Sequence, residues 1–205
     1  MIRNIVLDVG KVLVQWDPDE AMRKLDFSEE ERSAISTAMF TSGKWAETDR
    51  GVLSDEELLT FFYEEAPVYK EQIKRLWDNI DLAIWQFPYV KDWIRSMKAA
   101  GYRVYILSNY GEHTYHKTRE SGLNFLPMVD GAIFSYTIQM VKPNAEIYEA
   151  LCERFDLKPE ECIFIDDLPA NIEGAKAVGM QGIVFTGISD VLAELKKLGV
   201  ELEME

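Results

Sequence analysis

The 205-residue sequence predicts an α/β fold, a parallel sheet with helices on both faces and a small α-helical domain inserted into it. Three observations predict it. Short apolar runs have the length and composition of strands buried on both faces. Single helical patterns lie between the later runs, an alternation that builds a parallel sheet covered by helices. The connection after the first run is about seventy residues long where a crossover needs about a dozen, so it is expected to form a domain of its own. The arrangement is that of a Rossmann-like sheet.

The five runs are "RNIVLD" (3–8), "YRVYILS" (102–108), "GAIFS" (131–135), "CIFID" (162–166) and "GIVF" (182–185). Between them, "FPYVKDWIRSMKAAG" has Pro88 at a helix start and Gly101 at its stop, "KPNAEIYEALCERF" follows the third run, and "LPANIEGAKAVG" closes at Gly179. Residues 17–85 hold no convincing strand but repeat helix starts: Asp17-Pro18, then Ser28 with Glu31 and Ser54 with Glu57 at the spacing of a capping box. Asp17-Pro18 and Phe87-Pro88 would be the two necks. The expected domains are thus a core of residues 1–16 and 86–205 and a helical cap of residues 17–85. "ELEME" at the end reads as a frayed acidic tail.

With 22 basic and 36 acidic residues the chain carries −14, which repels phosphate backbones and anionic lipid. Neither a nucleic acid nor a membrane is expected as partner. The cap segment holds 8 basic and 17 acidic residues, so most of the charge rides there. "MIRNIVLDVG" lacks the apolar run of a signal peptide and no segment reaches the ~18 apolar residues of a span, so a cytoplasmic protein is expected, a monomer or weak dimer. Cys152 and Cys162 stand alone and are expected as reduced core residues rather than a disulfide or metal pair.

Asp8 closes a strand that should be buried, and a buried carboxylate is costly unless compensated. Functional side chains of an open parallel sheet gather at the carboxyl ends of its strands. There lie Asp8, then Ser108-Asn109, then Asp166-Asp167 with Asn171 one turn further, and Lys142 in the connection before "PNAEIY". Taken singly, Ser108-Asn109 could end a strand, Lys142 could be a solvated helix entry, and Asp166-Asp167 could cap a helix. Their shared location argues otherwise. Three carboxylates in one place call for a hard divalent cation, and Mg²⁺ suits oxygen ligands of this kind. Ser108, nearby backbone N–H groups and the Lys142 ammonium offer donors to a multi-oxygen anion. A phosphoryl-transfer site is expected, with an oxygen of Asp8 attacking phosphorus.

"LDVGKVLV", "ILSN", "VKPNAEIY" and "FIDDLPAN", in this order, resemble the haloacid dehalogenase-like hydrolase superfamily, in the branch whose helical cap follows the first strand. "TDRGVLSDEEL" is also similar to cap sequences of its sugar-phosphate phosphatases. The resemblance implies a Mg²⁺-dependent phosphatase acting on a small phosphorylated metabolite through an aspartyl-phosphate. It implies Asp8 as nucleophile and metal ligand, the carbonyl of Gly10 and Asp167 as further ligands, and Asp166 ligating directly or through water. Ser108 and Lys142 would hold the phosphoryl oxygens together with groups of Val9, Gly10 and Asn109, and Asn171 would support the outer shell of the metal. Trp45, Asp49 and Arg50 are candidate leaving-group contacts. An acidic cap favours a neutral polyol bearing one phosphate.

One position departs from the family. Its phosphatases usually carry an aspartate two residues after the nucleophile as general acid, and here that residue is Gly10. Such an acid is worth roughly 10²–10⁴ in rate. In the favoured expectation the proton comes from water, the cap or the substrate. The alternatives are a metal-independent 2-haloacid dehalogenase, whose halide leaves unprotonated, and a non-catalytic phosphoryl-binding regulatory protein. Lys11 is expected as a solvated side chain at the sheet edge. His113 and His116, at helical spacing beyond the second run, are not expected to bind metal, and Trp16, Trp45, Trp77 and Trp85 are expected to pack in the cap and hinge.

Overall fold

The computed structural model describes residues 1–203, so the last two residues of the tail expected to fray lie outside the described residues. The chain begins with β1 (Asn4–Leu7) and β2 (Val14–Trp16). Five helices follow: α1 (Pro18–Lys24), α2 (Glu29–Ser36), α3 (Ala46–Arg50), α4 (Asp55–Glu65) and α5 (Lys70–Asp78). The chain then passes through β3 (Ile84–Gln86), α6 (Val90–Ala99), β4 (Arg103–Ser108), α7 (Glu112–Thr118) and β5 (Gly131–Phe134). It ends with α8 (Ala145–Phe155), β6 (Cys162–Asp166), α9 (Pro169–Ala177), β7 (Gln181–Val184) and α10 (Ile188–Lys197).

The five expected strands form one sheet in the order β5-β4-β1-β6-β7, all pairs parallel. Both faces are buried because alternate residues point to opposite sides. Ile5 and Leu7 of β1, Val104 and Ile106 of β4, and Ile163 and Ile165 of β6 pack with α6 and α10 through Trp93, Met97, Val191 and Leu195. Val6, Tyr105, Leu107 and Phe164 pack on the other face with α8 and α9 through Tyr148, Leu151, Ile172 and Ala175. The run α10 had no counterpart among the expected helices. Among the described residues no helix is long and apolar enough to cross a membrane.

Asp17 caps α1, accepting from Glu20 N–H at 3.0 Å, with Pro18 as first helical residue. Both capping boxes form: Ser28 with Glu31 starts α2, and Ser54 with Glu57 starts α4. Each satisfies two otherwise orphaned N–H groups, so local sequence suffices to place these starts. The sequence-based bounds miss one feature. β2 and β3 pair antiparallel, Val14 opposite Gln86 and Trp16 opposite Ile84, so Ile84 and Trp85 at the end of the supposedly strandless stretch are a strand. A three-residue strand is too short to show alternation, and this one exists only because its partner lies across the insertion. The ribbon joins the helical segment to the sheet.

His113 has a different setting from the one expected. Its Nδ1 lies 2.8 Å from Asp55 Oδ2, its Nε2 lies 2.9 Å from the Trp77 carbonyl, and its ring stacks on Trp77 at 4.3 Å. It therefore ties α7 to α4 and α5, an acidic partner that sequence proximity hid. Cys152 and Cys162 are both buried and free, as expected.

Candidate active site

β1 is the central strand, flanked by β4 and β6, so the residues just past the ends of these three strands are neighbours. Leu7 sits opposite Ile106 on one side and Ile165 on the other, and Asp8 N–H continues the ladder to the Ile165 carbonyl at 2.9 Å. Backbone pairing thereby aims the Asp8 carboxyl at the rim. Asp8 is 7% exposed. Its Oδ1 accepts from the Ser108 hydroxyl at 2.7 Å and from Lys142 Nζ at 2.8 Å, while the ammonium also reaches Asp166 Oδ2 at 2.6 Å. These groups lie up to 158 positions apart in the chain, from Asp8 to Asp166.

Asn109 holds Lys142 in place. Its Oδ1 accepts from Lys142 N–H at 2.8 Å, and its Nδ2 donates to the Lys142 carbonyl at 3.0 Å. Asp166 is saturated: Asn171 Nδ2 donates to both oxygens at 3.0 Å, and Leu168 N–H donates to Oδ1 at 2.8 Å. Asp167 next to it is only half-buried. One oxygen each of Asp8, Asp166 and Asp167 lie within 4.8 Å of one another.

The electrostatics follow from this packing. Burial pushes the Asp8 carboxyl up to about 6, against the pull of the Lys142 ammonium. Burial draws Lys142 down, but Asp8 and Asp166 outweigh it and hold the ammonium above its ordinary value. Burial, and then the Asp166 carboxylate, raise Asp167. Two to three carboxylates against one ammonium leave the cluster short of positive charge. That donor set fits a hard divalent cation held by oxygens, with Asp8 and Asp167 beside Gly10 at the cavity and Asp166 already engaged by hydrogen bonds.

A cavity of about 280 Å³ opens over this cluster. Asp8, Gly10, Asn109, Lys142, Asp167 and Asn171 line its floor, and Val14, Trp16, Trp45, Asp49 and Ile84 line its walls. Trp16, expected as packing, and Trp45, expected both as packing and as a leaving-group contact, sit with their rings 5.3 Å apart in an aromatic cluster with Phe40 and also line the cavity. Trp77 is buried, and Trp85 is 40% exposed with Lys24 over its ring. Lys11, expected in solvent, is exposed and stands at the rim of the cavity. Two candidates lie elsewhere. Arg50 is exposed and pairs with Glu47 at 3.3 Å, and the Val9 side chain is fully buried, which leaves only its backbone available. Tyr110, Thr114 and Leu168 also line the cavity and were absent from the candidates. The signal for Tyr110 and Leu168 was adjacency, since each directly follows a strand-end motif.

Comparison with known proteins places the chain among characterised enzymes by sequence and by fold. A sesquiterpene phosphatase of Aspergillus oryzae is 25% identical over 195 residues, covering 94% of each chain. A D-ribitol-5-phosphate phosphatase of Bacteroides thetaiotaomicron is 26% identical over 195 residues, covering 88% of this chain and 90% of the relative. An (S)-2-haloacid dehalogenase of Pseudomonas is 29% identical over 97 residues, 47% of this chain and 42% of the relative. In fold, the chain resembles a haloacid dehalogenase family enzyme of B. thetaiotaomicron solved with magnesium and inorganic phosphate, with a TM-score of 0.70 at 22% identity over 90% of this chain and 94% of the other. The family model for haloacid dehalogenase-like hydrolases matches residues 23–179, and this chain belongs to that family and is a hydrolase.

Proposed function

We propose that this hydrolase is a phosphatase that cleaves a small phosphate monoester with an uncharged leaving group, through covalent attack of Asp8 on phosphorus. The observation that carries the reading is the placement of Asp8 at the end of the central strand, held at 2.7 Å by the Ser108 hydroxyl and at 2.8 Å by the Lys142 ammonium. Both donors converge on Oδ1 and leave Oδ2 free to attack. Mg²⁺, bound by Asp8, Asp167 and the Gly10 carbonyl, would neutralise phosphoryl charge. Ser108 and Lys142 orient the nucleophile and meet the phosphoryl oxygens, and Asn109 fixes Lys142. Asp166 and Asn171 position Lys142 and the acidic rim.

The helical segment 17–85 acts as the cap, walling the cavity with Trp45 and Asp49 and excluding water from the reacting phosphoryl group. Trp16, Trp45, Val14 and Ile84 favour a leaving group with an apolar face over the neutral polyol expected from charge alone. The names of the phosphatase relatives support phosphate-ester chemistry.

One observation favours a dehalogenase, namely the absence of an acid at Gly10, because a halide needs no proton. Against it stands the acid pair Asp166-Asp167 beside the nucleophile, which a metal-free reaction does not require. The deciding experiment is a panel of phosphate esters and 2-haloacids assayed with Mg²⁺ and with chelator, for the native chain and Asp8→Asn. Phosphate release that needs both Mg²⁺ and Asp8 is expected. Phosphate release that persists in chelator, or chloride release from a haloacid, would overturn the proposal, and no turnover of any ester would favour the binding protein.

A further inference from the structure

Gly10 leaves the site without a proton donor beside the nucleophile. Position 10 has no side chain, and a Cβ built there would meet nothing within 4 Å, so the place the family's acid would occupy is open space over the phosphoryl site. The titratable groups lining the cavity are Asp8, Lys11, Asp49, Tyr110, Lys142 and Asp167. Four of them are engaged. Asp8 is the proposed nucleophile, Asp167 would hold the cation, Lys142 is locked between two carboxylates, and the buried Tyr110 hydroxyl is paired with Thr118 at 2.9 Å. Lys11 is an exposed side chain on the open side. Asp49 remains, a carboxyl on the wall that comes from the inserted segment.

Its position is built rather than incidental. α3 approaches the sheet domain on both sides of Asp49. A Cβ at Gly111 would lie 3.0 Å from the Thr48 carbonyl, and one at Gly51 would lie 2.6 Å from the Tyr136 carbonyl, with Gly51 at φ +63. Gly51 admits only glycine at that φ and distance, and a Cβ at Gly111 would make a contact tighter than ordinary packing, so α3 is seated closely against the loops that follow β4 and β5. Thr48 Oγ1 anchors the same turn, donating to the Trp45 carbonyl at 2.6 Å, with the Asp49 carboxylate 3.5 Å away. We propose that Asp49 is the general acid that protonates the leaving oxygen, supplying from the inserted segment the proton donor absent at Gly10. The assignment rests on the phosphatase reading above.

Burial pushes the Asp49 carboxyl up to about 7, with Asp8 adding to the rise and Lys142 opposing it. A donor with a pKa near the working pH is the efficient one. In the first step an Asp8 oxygen bonds to phosphorus, the P–O bond to the leaving group breaks, and the Asp49 proton moves to the departing oxygen to give the alcohol. In the second, water attacks phosphorus, its proton passes to the Asp49 carboxylate, and phosphate leaves with Asp8 restored. Atoms and charge balance over the two steps.

The test compares Asp49→Asn with the native chain on an alkyl phosphate and on 4-nitrophenyl phosphate, in Mg²⁺, reading kcat/KM, which covers binding and phosphoryl transfer to Asp8 and excludes the later hydrolysis of the phosphoenzyme. An aryloxide departs without a proton, so kcat/KM for the aryl ester should stay within a factor of about three while that for the alkyl ester falls by about 10²–10⁴. Asp49→Glu, which keeps the carboxyl, should recover part of the alkyl-ester rate. Equal losses on both esters, or an alkyl-ester rate unchanged in Asp49→Asn, would overturn the assignment, as would a selective loss on the alkyl ester found in Lys11→Met instead. A native chain inactive on both esters would remove the phosphatase reading itself.

Discussion

Replacing Asp8, the proposed nucleophile, should stabilise the metal-free protein. Folding raises the Asp8 carboxyl from 3.8 to about 6, chiefly by burial. Each pKa unit corresponds to about 1.4 kcal/mol, so ionised Asp8 destabilises the folded chain by about 3 kcal/mol at pH 7.5. Asp8→Asn removes that charge and keeps the contacts, because the Ser108 hydroxyl and the Lys142 ammonium both donate to Oδ1, which the amide carbonyl can replace. The sign follows from linkage: a carboxyl raised in the folded state binds its proton more tightly there, so the native chain regains the deficit as pH falls from about 6 towards 4. Urea unfolding in EDTA should therefore find Asp8→Asn more stable by up to about 3 kcal/mol at pH 7.5, and level with the native chain near pH 4. For a chain of this size the gain is about 6–12 °C in Tm. A variant no more stable than the native chain at pH 7.5, or one whose advantage does not shrink in acid, would refute the reasoning. Saturating Mg²⁺ should reverse the order, since only the native chain keeps all the proposed ligands.

Lys142→Met should cost about 3–5 kcal/mol in EDTA at neutral pH, because it leaves Asp8 and Asp166 buried without their cation; urea melts read it directly. Mg²⁺ should raise the Tm of the native chain, and Asp167→Asn should remove most of that rise in a thermal-shift titration while Arg50→Ala keeps it. Gly10→Asp, filling the open position, should narrow the ratio of aryl to alkyl phosphate kcat/KM. Alkyl-ester kcat/KM should fall relative to the aryl ester as pH rises through about 7, where Asp49 loses its proton; a constant ratio from pH 6 to 8 would count against it.

The floor of the site was legible because local patterns carry it. Apolar strand runs, capping residues and helical periods are encoded within a few positions of each other, and a parallel sheet brings its strand ends to one rim. From these alone Asp8, Ser108, Asn109, Lys142, Asp166, Asp167 and Asn171 converge, and the structure places them within hydrogen-bonding reach of one another or within 4.8 Å. The residues themselves also marked the gap at Gly10, since a missing side chain is visible without coordinates.

The wall of the site belongs to tertiary structure. Asp49 reaches the cavity because glycines at 51 and 111 let α3 close against two loops far away in the chain, and nothing within a few residues of Asp49 encodes that approach. The ribbon of β2 and β3, the Asp55–His113 contact and the cavity faces of Trp16 and Trp45 depend likewise on how the insertion seats on the sheet. Sequence by itself determined which side chains meet on the rim, because strand order and direction are consequences of local chain geometry. Only packing between segments decided what stands over that rim, because contacts between surfaces depend on shapes that no single stretch contains.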